Sequence, residues 1–180
     1  MKGMIFTQLL EMIEDQFSPE LADRIIGACD LPSGGAYTAV GTYDHHEMVQ
    51  LVTQLSQETG IAVPDLLRSF GKHLFGRFVA NYPHFFVGIQ SAFGFLETIE
   101  RYIHVEVRKL YPNAELPSFT CTSQPGQLTM VYRSPRAFAD LAEGLIRGCT
   151  EHFGEPVEIQ RDDLSGGQGT CVRFLLTKRS

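Results

Sequence analysis

FGFLETIERYIHVEVRKLYPNAELPSF, residues 93–119, is the stretch on which the reading of this chain turns. Phe93, Leu96, Ile99, Ile103, Val107 and Leu110 recur at three- and four-residue steps, so a helix would place them on one face. His104 falls at the shoulder of that stripe, on the side of Phe93, and the polar face carries Glu97, Arg101 and Arg108. Tyr111-Pro112-Asn113 stops the helix, because proline has no N–H and forces the residue before it out of helical geometry. A neutral imidazole at the edge of an apolar stripe has two uses. One ring nitrogen can ligate a metal held in an apolar pocket while the other donates a hydrogen bond. The side chain can equally be a hydrogen-bonded histidine at the rim of an ordinary core. Spacing alone does not choose between them.

Before this stretch the period is helical, and after it the period alternates. Residues 3–16 place Ile5, Leu9 and Ile13 in one row. Ser18-Pro19-Glu20 starts a second helix, with serine as N-cap and proline at the first position. A Gly-rich loop at 31–42 follows. Asp44 and Glu47 read as a capping box for a helix over 45–59, which Gly60 closes. Val63-Pro64-Asp65 opens a helix with Leu67, Phe70, Leu74 and Phe78 down one side, and Tyr82-Pro83 breaks it. A short helix is expected over 84–90. Past Pro117, residues 118–123 and 128–133 read as strands joined by a Pro125-Gly126 turn. Residues 134–153 then read as a helix closed by Gly154, and 156–161 and 170–177 as two more strands. Helices first and strands late is the α+β pattern: a helical half and an antiparallel sheet of about four strands, in one domain over 1–180.

Composition removes several classes of function. The chain has 180 residues and a net charge of -6, without blocks of like charge, which argues against nucleic acid and against anionic lipid. No run approaches the ~20 apolar residues of a membrane helix. Glu11, Glu14 and Asp15 interrupt the N-terminal apolar run too early for a signal peptide, so a cytoplasmic protein is expected. Cys29, Cys121, Cys149 and Cys171 form no C-x-x-C pair, and reduced thiols are the expectation. Cys121 and Cys149 are open to oxidative modification if exposed. Thirteen Phe and no Trp would suit either a core or an apolar cavity.

A second motif follows at Val131-Tyr132-Arg133-Ser134-Pro135-Arg136. Read as a helix start, with Ser134 as N-cap and Pro135 first, it gathers a phenol, a hydroxyl, a guanidinium and free backbone N–H groups. Such a corner suits paired carboxylates, because arginine binds carboxylate through two parallel bonds. Alone it also reads as a capped helix with an incidental arginine. Together the two motifs describe one ligand, apolar over most of its surface, needing a nitrogen donor and bearing carboxylates at one edge. Haem has those properties.

On these residues the chain resembles the H-NOX (haem nitric oxide/oxygen binding) domains, over essentially its whole length. The resemblance is carried by Met1-Lys2-Gly3, by Ile103-His104-Val105-Glu106-Val107 through Tyr111-Pro112-Asn113-Ala114 to Leu116-Pro117, and by Tyr132-x-Ser134-x-Arg136. It implies haem b buried between the helical half and the sheet. It implies His104 as the proximal iron ligand, Tyr132, Ser134 and Arg136 as propionate ligands, and Pro117 pressing on the porphyrin. It places Ile5, Leu9, Leu74, Phe78, Leu141 and Leu145 on the distal side; His73, next to Leu74 in sequence, is the one polar side chain in a position to turn inward. Leu141 stands where oxygen-binding members resembling this family carry a tyrosine.

The resemblance therefore implies a sensor that binds NO and CO, excludes O2 and is not an enzyme. Release of His104 on NO binding would free its helix and signal to a separate partner, a histidine kinase or a diguanylate cyclase/phosphodiesterase. Some relatives carry a cysteine-rich zinc site; here Arg161, Asp163 and Leu164 occupy that region beside Cys171, and no zinc is expected. Two other functions remain open on sequence. A haem enzyme would turn over peroxide, although no distal histidine–arginine pair is present. A haem-free module binding another apolar carboxylate would be colourless.

Overall fold

The computed structural model describes residues 1–179. The fold is α+β, with seven α-helices and one four-stranded antiparallel sheet among those residues. The chain divides into two compact units, Met1–Phe70 and the residues from Gly71 onward.

In the first unit α1 (Gly3–Gln16), α2 (Pro19–Ala28) and α3 (His45–Thr59) bury Phe6, Leu9, Ile13, Ile25, Met48 and Leu51. Ser18 caps α2 by accepting from the Leu21 N–H, as expected. The chain's start is tied to the loop before α3: Gly3 N donates to Gly41 O at 2.9 Å and Tyr43 N to Met1 O at 2.9 Å. The capping box is corrected. Asp44 does cap α3 through the His46 N–H at 2.9 Å. Glu47, however, is buried, and its carboxylate accepts from Tyr37 Oη at 2.9 Å and from Ser33 Oγ instead of reaching back to the cap. Two hydroxyls within the fold satisfy a buried carboxylate better than one exposed N–H does.

The boundary between the units falls inside α4 (Val63–Asn81). In the second unit a 3-10 turn, Pro83–Phe86, replaces the short helix expected over 84–90. The sheet runs β1 (Ser118–Gln124), β2 (Gln127–Arg133), β4 (Cys171–Lys178), β3 (Val157–Asp163), all neighbours antiparallel. Gly126 at φ +74° supplies the left-handed residue that the two-residue turn Pro125-Gly126 requires. Alternation sends Leu128, Met130 and Tyr132 of β2 and Val172, Phe174 and Leu176 of β4 inward. α5 (Ala92–Thr98) and α7 (Ala139–His152) cover that face, and Cys149 Sγ lies 3.8 Å from Ala92 O between them. No helix among the described residues is long and apolar enough to cross a membrane.

Two sequence expectations fail near the motifs. The helix over 93–110 is not continuous. A π-helical turn, Ile99–Ile103, separates α5 from α6 (His104–Leu110), and the His104 N–H bonds Ile99 O, five residues back. One inserted residue rotates everything after it by about 100°. The apolar stripe accordingly loses its phase. Phe93 and Leu96 are buried, Ile99, Ile103 and Val107 half-buried, and Leu110 is 64% exposed.

The second failure is the helix over 134–153, which begins only at Ala139. Ser134 is not an N-cap. Its Oγ accepts from the Arg136 N–H at 3.1 Å, closing a local turn, and Phe138 N donates to Arg136 O at 2.9 Å. Serine followed by proline can serve either arrangement, because both fold a hydroxyl back onto a nearby N–H.

Candidate haem site

The π turn matters because of what it places. His104 is 8% exposed, while its neighbour Val105 is 39% exposed. Its Nδ1 stands 2.7 Å from Glu100 Oε1, a residue of the π turn. A carboxylate only accepts, so Nδ1 carries the proton and Nε2 keeps its lone pair. Burial is the main cause lowering the His104 pKa below the ordinary histidine value. Glu100 pulls it back up, and Arg108 adds to the lowering. A neutral imidazole with a fixed tautomer is what a metal requires of a histidine. Glu100 was not singled out in the sequence, although a carboxylate four residues before a histidine is a legible signal.

From His104 an aromatic path leads to the second motif. The Phe119 ring centroid lies 6.1 Å from that of His104 and 5.7 Å from that of Tyr132. Phe119 and Tyr132 are cross-strand partners in β1 and β2. Half-buried Pro117 stands just before β1. The structure therefore brings Tyr132, Ser134 and Arg136 into one turn at the end of β2. Of the N–H groups expected to be free there, those of Ser134, Arg136 and Phe138 are already used, and the Tyr132 hydroxyl donates to Arg136 O at 2.8 Å. Burial raises the Tyr132 pKa, which keeps the phenol protonated as a donor. The groups that could meet a carboxylate are the Ser134 O–H and the guanidinium of Arg136, whose side chain is 15% exposed and already pairs with Glu115. Beside this turn opens a cavity of about 440 Å³, lined by Leu116, Ser118, Arg133, Ser134, Pro135, Thr170 and Cys171. A single nitrogen ligand backed by a carboxylate, apolar rings, and a hydroxyl–guanidinium pair make a donor set that fits haem.

The expected distal residues of the second unit lie on α4 and α7. Leu74 and Leu141 are buried, and Phe78 and Leu145 half-buried. The two backbones meet at Gly71, where a Cβ would come within 2.4 Å of Leu141 O. Ile5 is half-buried and Leu9 buried in α1, in the first unit.

Cys149 is fully buried, and burial pushes its thiol far up. Burial pushes Cys121 up to about 11. Cys149 therefore fails the exposure its modification requires, whereas Cys121 is half-buried. In the region of the expected missing zinc site, Asp163 holds the β3–β4 turn, accepting from Ser165 N at 2.7 Å and Gly169 N at 3.0 Å. Away from this site, Asp44, His45 and His46 bring potential metal-ligand atoms within 4.8 Å of one another. They sit on the N-terminus of α3, whose positive end opposes a cation.

A buried, tautomer-fixed histidine linked by aromatic rings to a carboxylate clamp is the chemistry of a haem-binding domain. The family model described as Haem-NO-binding matches residues 2–161. Among solved structures, the chain is similar to the Fe(II) unliganded H-NOX protein from K. algicida, with 40% identity and a TM-score of 0.94, over 100% of this chain and 97% of that one. It is similar also to the IWP-051-bound H-NOX from Shewanella woodyi in the Fe(II)CO ligation state, at 43% identity and TM-score 0.84, over 99% and 95% of the two chains. The H-NOX protein from S. oneidensis in the Fe(II)NO ligation state, at 24% identity and TM-score 0.92 over 100% of both chains, shares the fold. No curated protein matches the chain. The chain belongs to the Haem-NO-binding family, whose members are haem-based gas sensors, and the resemblance read from its motifs is correct.

Proposed function

We propose that this protein is a ferrous haem b sensor of nitric oxide that binds NO and CO, excludes O2 and signals to a separate protein. The observation that carries the reading is the buried imidazole of His104, its Nδ1 proton held by Glu100 and its Nε2 lone pair left for iron. Haem, when bound, would supply an iron atom able to take that nitrogen and to bind a diatomic gas.

The chain's own residues do the rest. His104 Nε2 would ligate the iron. Glu100 fixes the ring and strengthens it as a ligand. Arg136 and Ser134 take the propionates, joined by Tyr132 once its hydroxyl turns from Arg136 O, and Pro117 bears on the ring from the loop before β1. Leu74, Phe78, Leu141 and Leu145 keep donors away from the gas. Ile5 and Leu9 enter the distal side by the resemblance alone. A gas whose bound form gathers negative charge, as O2 does, finds no hydrogen bond there, whereas NO and CO need none. The S. woodyi relative in its Fe(II)CO state supports gas binding at such a site. No structural zinc is proposed at Arg161, Asp163, Leu164 and Cys171.

Signalling follows from where His104 sits. It is the first residue of α6 and closes the π turn with its own N–H. Release of its side chain would let that turn and α6 move against β1, which packs on the π turn. The partner proposed is a histidine kinase or a diguanylate cyclase/phosphodiesterase, tested by pull-down of the purified partner with and without NO. The ferrous protein opened to air tests the ligand choice: its spectrum should stay that of the unliganded form, and an oxygenated spectrum would contradict the proposal. Glu100→Ala should weaken haem retention about 10- to 100-fold while leaving the fold intact, measured as the rate of haem loss to excess apomyoglobin.

A further inference from the structure

We propose that Glu115 competes with a haem propionate for Arg136 and thereby limits how tightly the chain holds haem. The inference rests on the reading of His104 and Arg136 as haem ligands. Two nitrogens of the guanidinium turn to Glu115. Nη2 pairs with its carboxylate, and Nη1 donates to its backbone oxygen at 3.4 Å. The two partners differ in burial. The Arg136 side chain is 15% exposed and that of Glu115 is 75% exposed. Arg136 is therefore the fixed member of the pair. Glu115 can swing into water with little loss, because an exposed carboxylate keeps its hydration.

A glutamate carboxylate and a propionate carboxylate present the same pair of oxygens at the end of a flexible methylene chain. The edge of the guanidinium that binds one in a two-bond fork cannot bind the other in the same plane. With Nη2 on the Glu115 carboxylate and Nη1 on its backbone oxygen, a propionate must displace Glu115 or bind from the Nε side of the guanidinium. Glu115 also lies in the loop 111–117 that joins α6 to β1. The contact therefore ties the segment carrying Pro117 to the turn that carries the propionate ligands, and seating a propionate on Arg136 unties it.

The test uses the full haem-loaded chain and follows transfer of haem to excess apomyoglobin. Glu115→Gln keeps the side chain's size and removes its charge at an exposed position. It should retain haem about 2- to 5-fold longer than the parent, the scale of an exposed ion pair. The same two proteins are then loaded with haem whose propionates are methyl esters. An ester does not claim the guanidinium, so the gain should vanish. Unchanged or faster haem loss from Glu115→Gln overturns the proposal, because Glu115 would then be supporting Arg136. An equal gain with the ester also overturns it, because the effect would not pass through the propionates. A parent chain that takes up no haem overturns the functional reading itself, whereas a parent that binds haem with no gain in the variant sinks only this inference.

Discussion

His104→Gly protein, produced in cells that load the parent, is expected to emerge with little or no haem. The parent's ferrous spectrum should not form in it. The expectation follows from what the imidazole alone supplies. His104 combines burial, a carboxylate-held Nδ1 proton and an aromatic path to Tyr132. The clamp proposed at residues 132–136 would still attract the propionates, but it would offer no bond to iron. Glycine also removes a buried side chain at the junction of the π turn and α6, so a fold control is needed. Imidazole added to the medium provides it, since a chain that still folds should regain the haem and the band. Retention of an unchanged ferrous spectrum in the variant without added imidazole would mean that another residue holds the iron.

The second large effect is expected at Leu141. This side chain is buried in the first turn of α7, on the helix whose backbone meets α4 at Gly71. It has no hydrogen to donate. Leu141→Tyr adds a phenol, and a donor reaching the gas would stabilise the negative charge that O2 acquires. The reduced variant should then show an oxygenated spectrum in air, while the parent stays unliganded. Tyrosine is larger than leucine, and overpacking a filled site costs about 1–3 kcal/mol. Leu141→Phe separates the two effects. It carries nearly the same bulk without the hydroxyl, and should lose stability without gaining O2. Oxygen binding by the phenylalanine variant or by the parent would show that the absent donor is not what excludes the gas.

How much of this was legible in the sequence depends on the kind of signal. Helix ends marked by local chemistry fell where expected, as at Ser18-Pro19 and at Gly60. The alternation in β2 and β4 identified a half-buried sheet because its period matches the pleat. His104 and Arg136 were visible as residue types in suggestive positions. The π turn was not, because Phe93 through Leu110 fit an unbroken helix equally well. Only the His104 N–H reaching Ile99 O and the exposure of Leu110 reveal the extra residue. Ser134 misled for a related reason, since its hydroxyl can bond a nearby N–H in a turn or at a cap. Glu47 and Glu115 were invisible as partners of Tyr37 and Arg136. Those pairs are closed by loops, and loop closure leaves no period to read.

The most direct measurement is the absorption spectrum of the reduced protein before and after NO is added. If the buried nitrogen of residue 104 holds the metal and NO is the signal, the reduced protein is coloured, with a strong Soret band of a five-coordinate ferrous haem. That band should then shift as NO binds. A colourless protein, or a ferrous band that NO leaves where it was, would contradict the account.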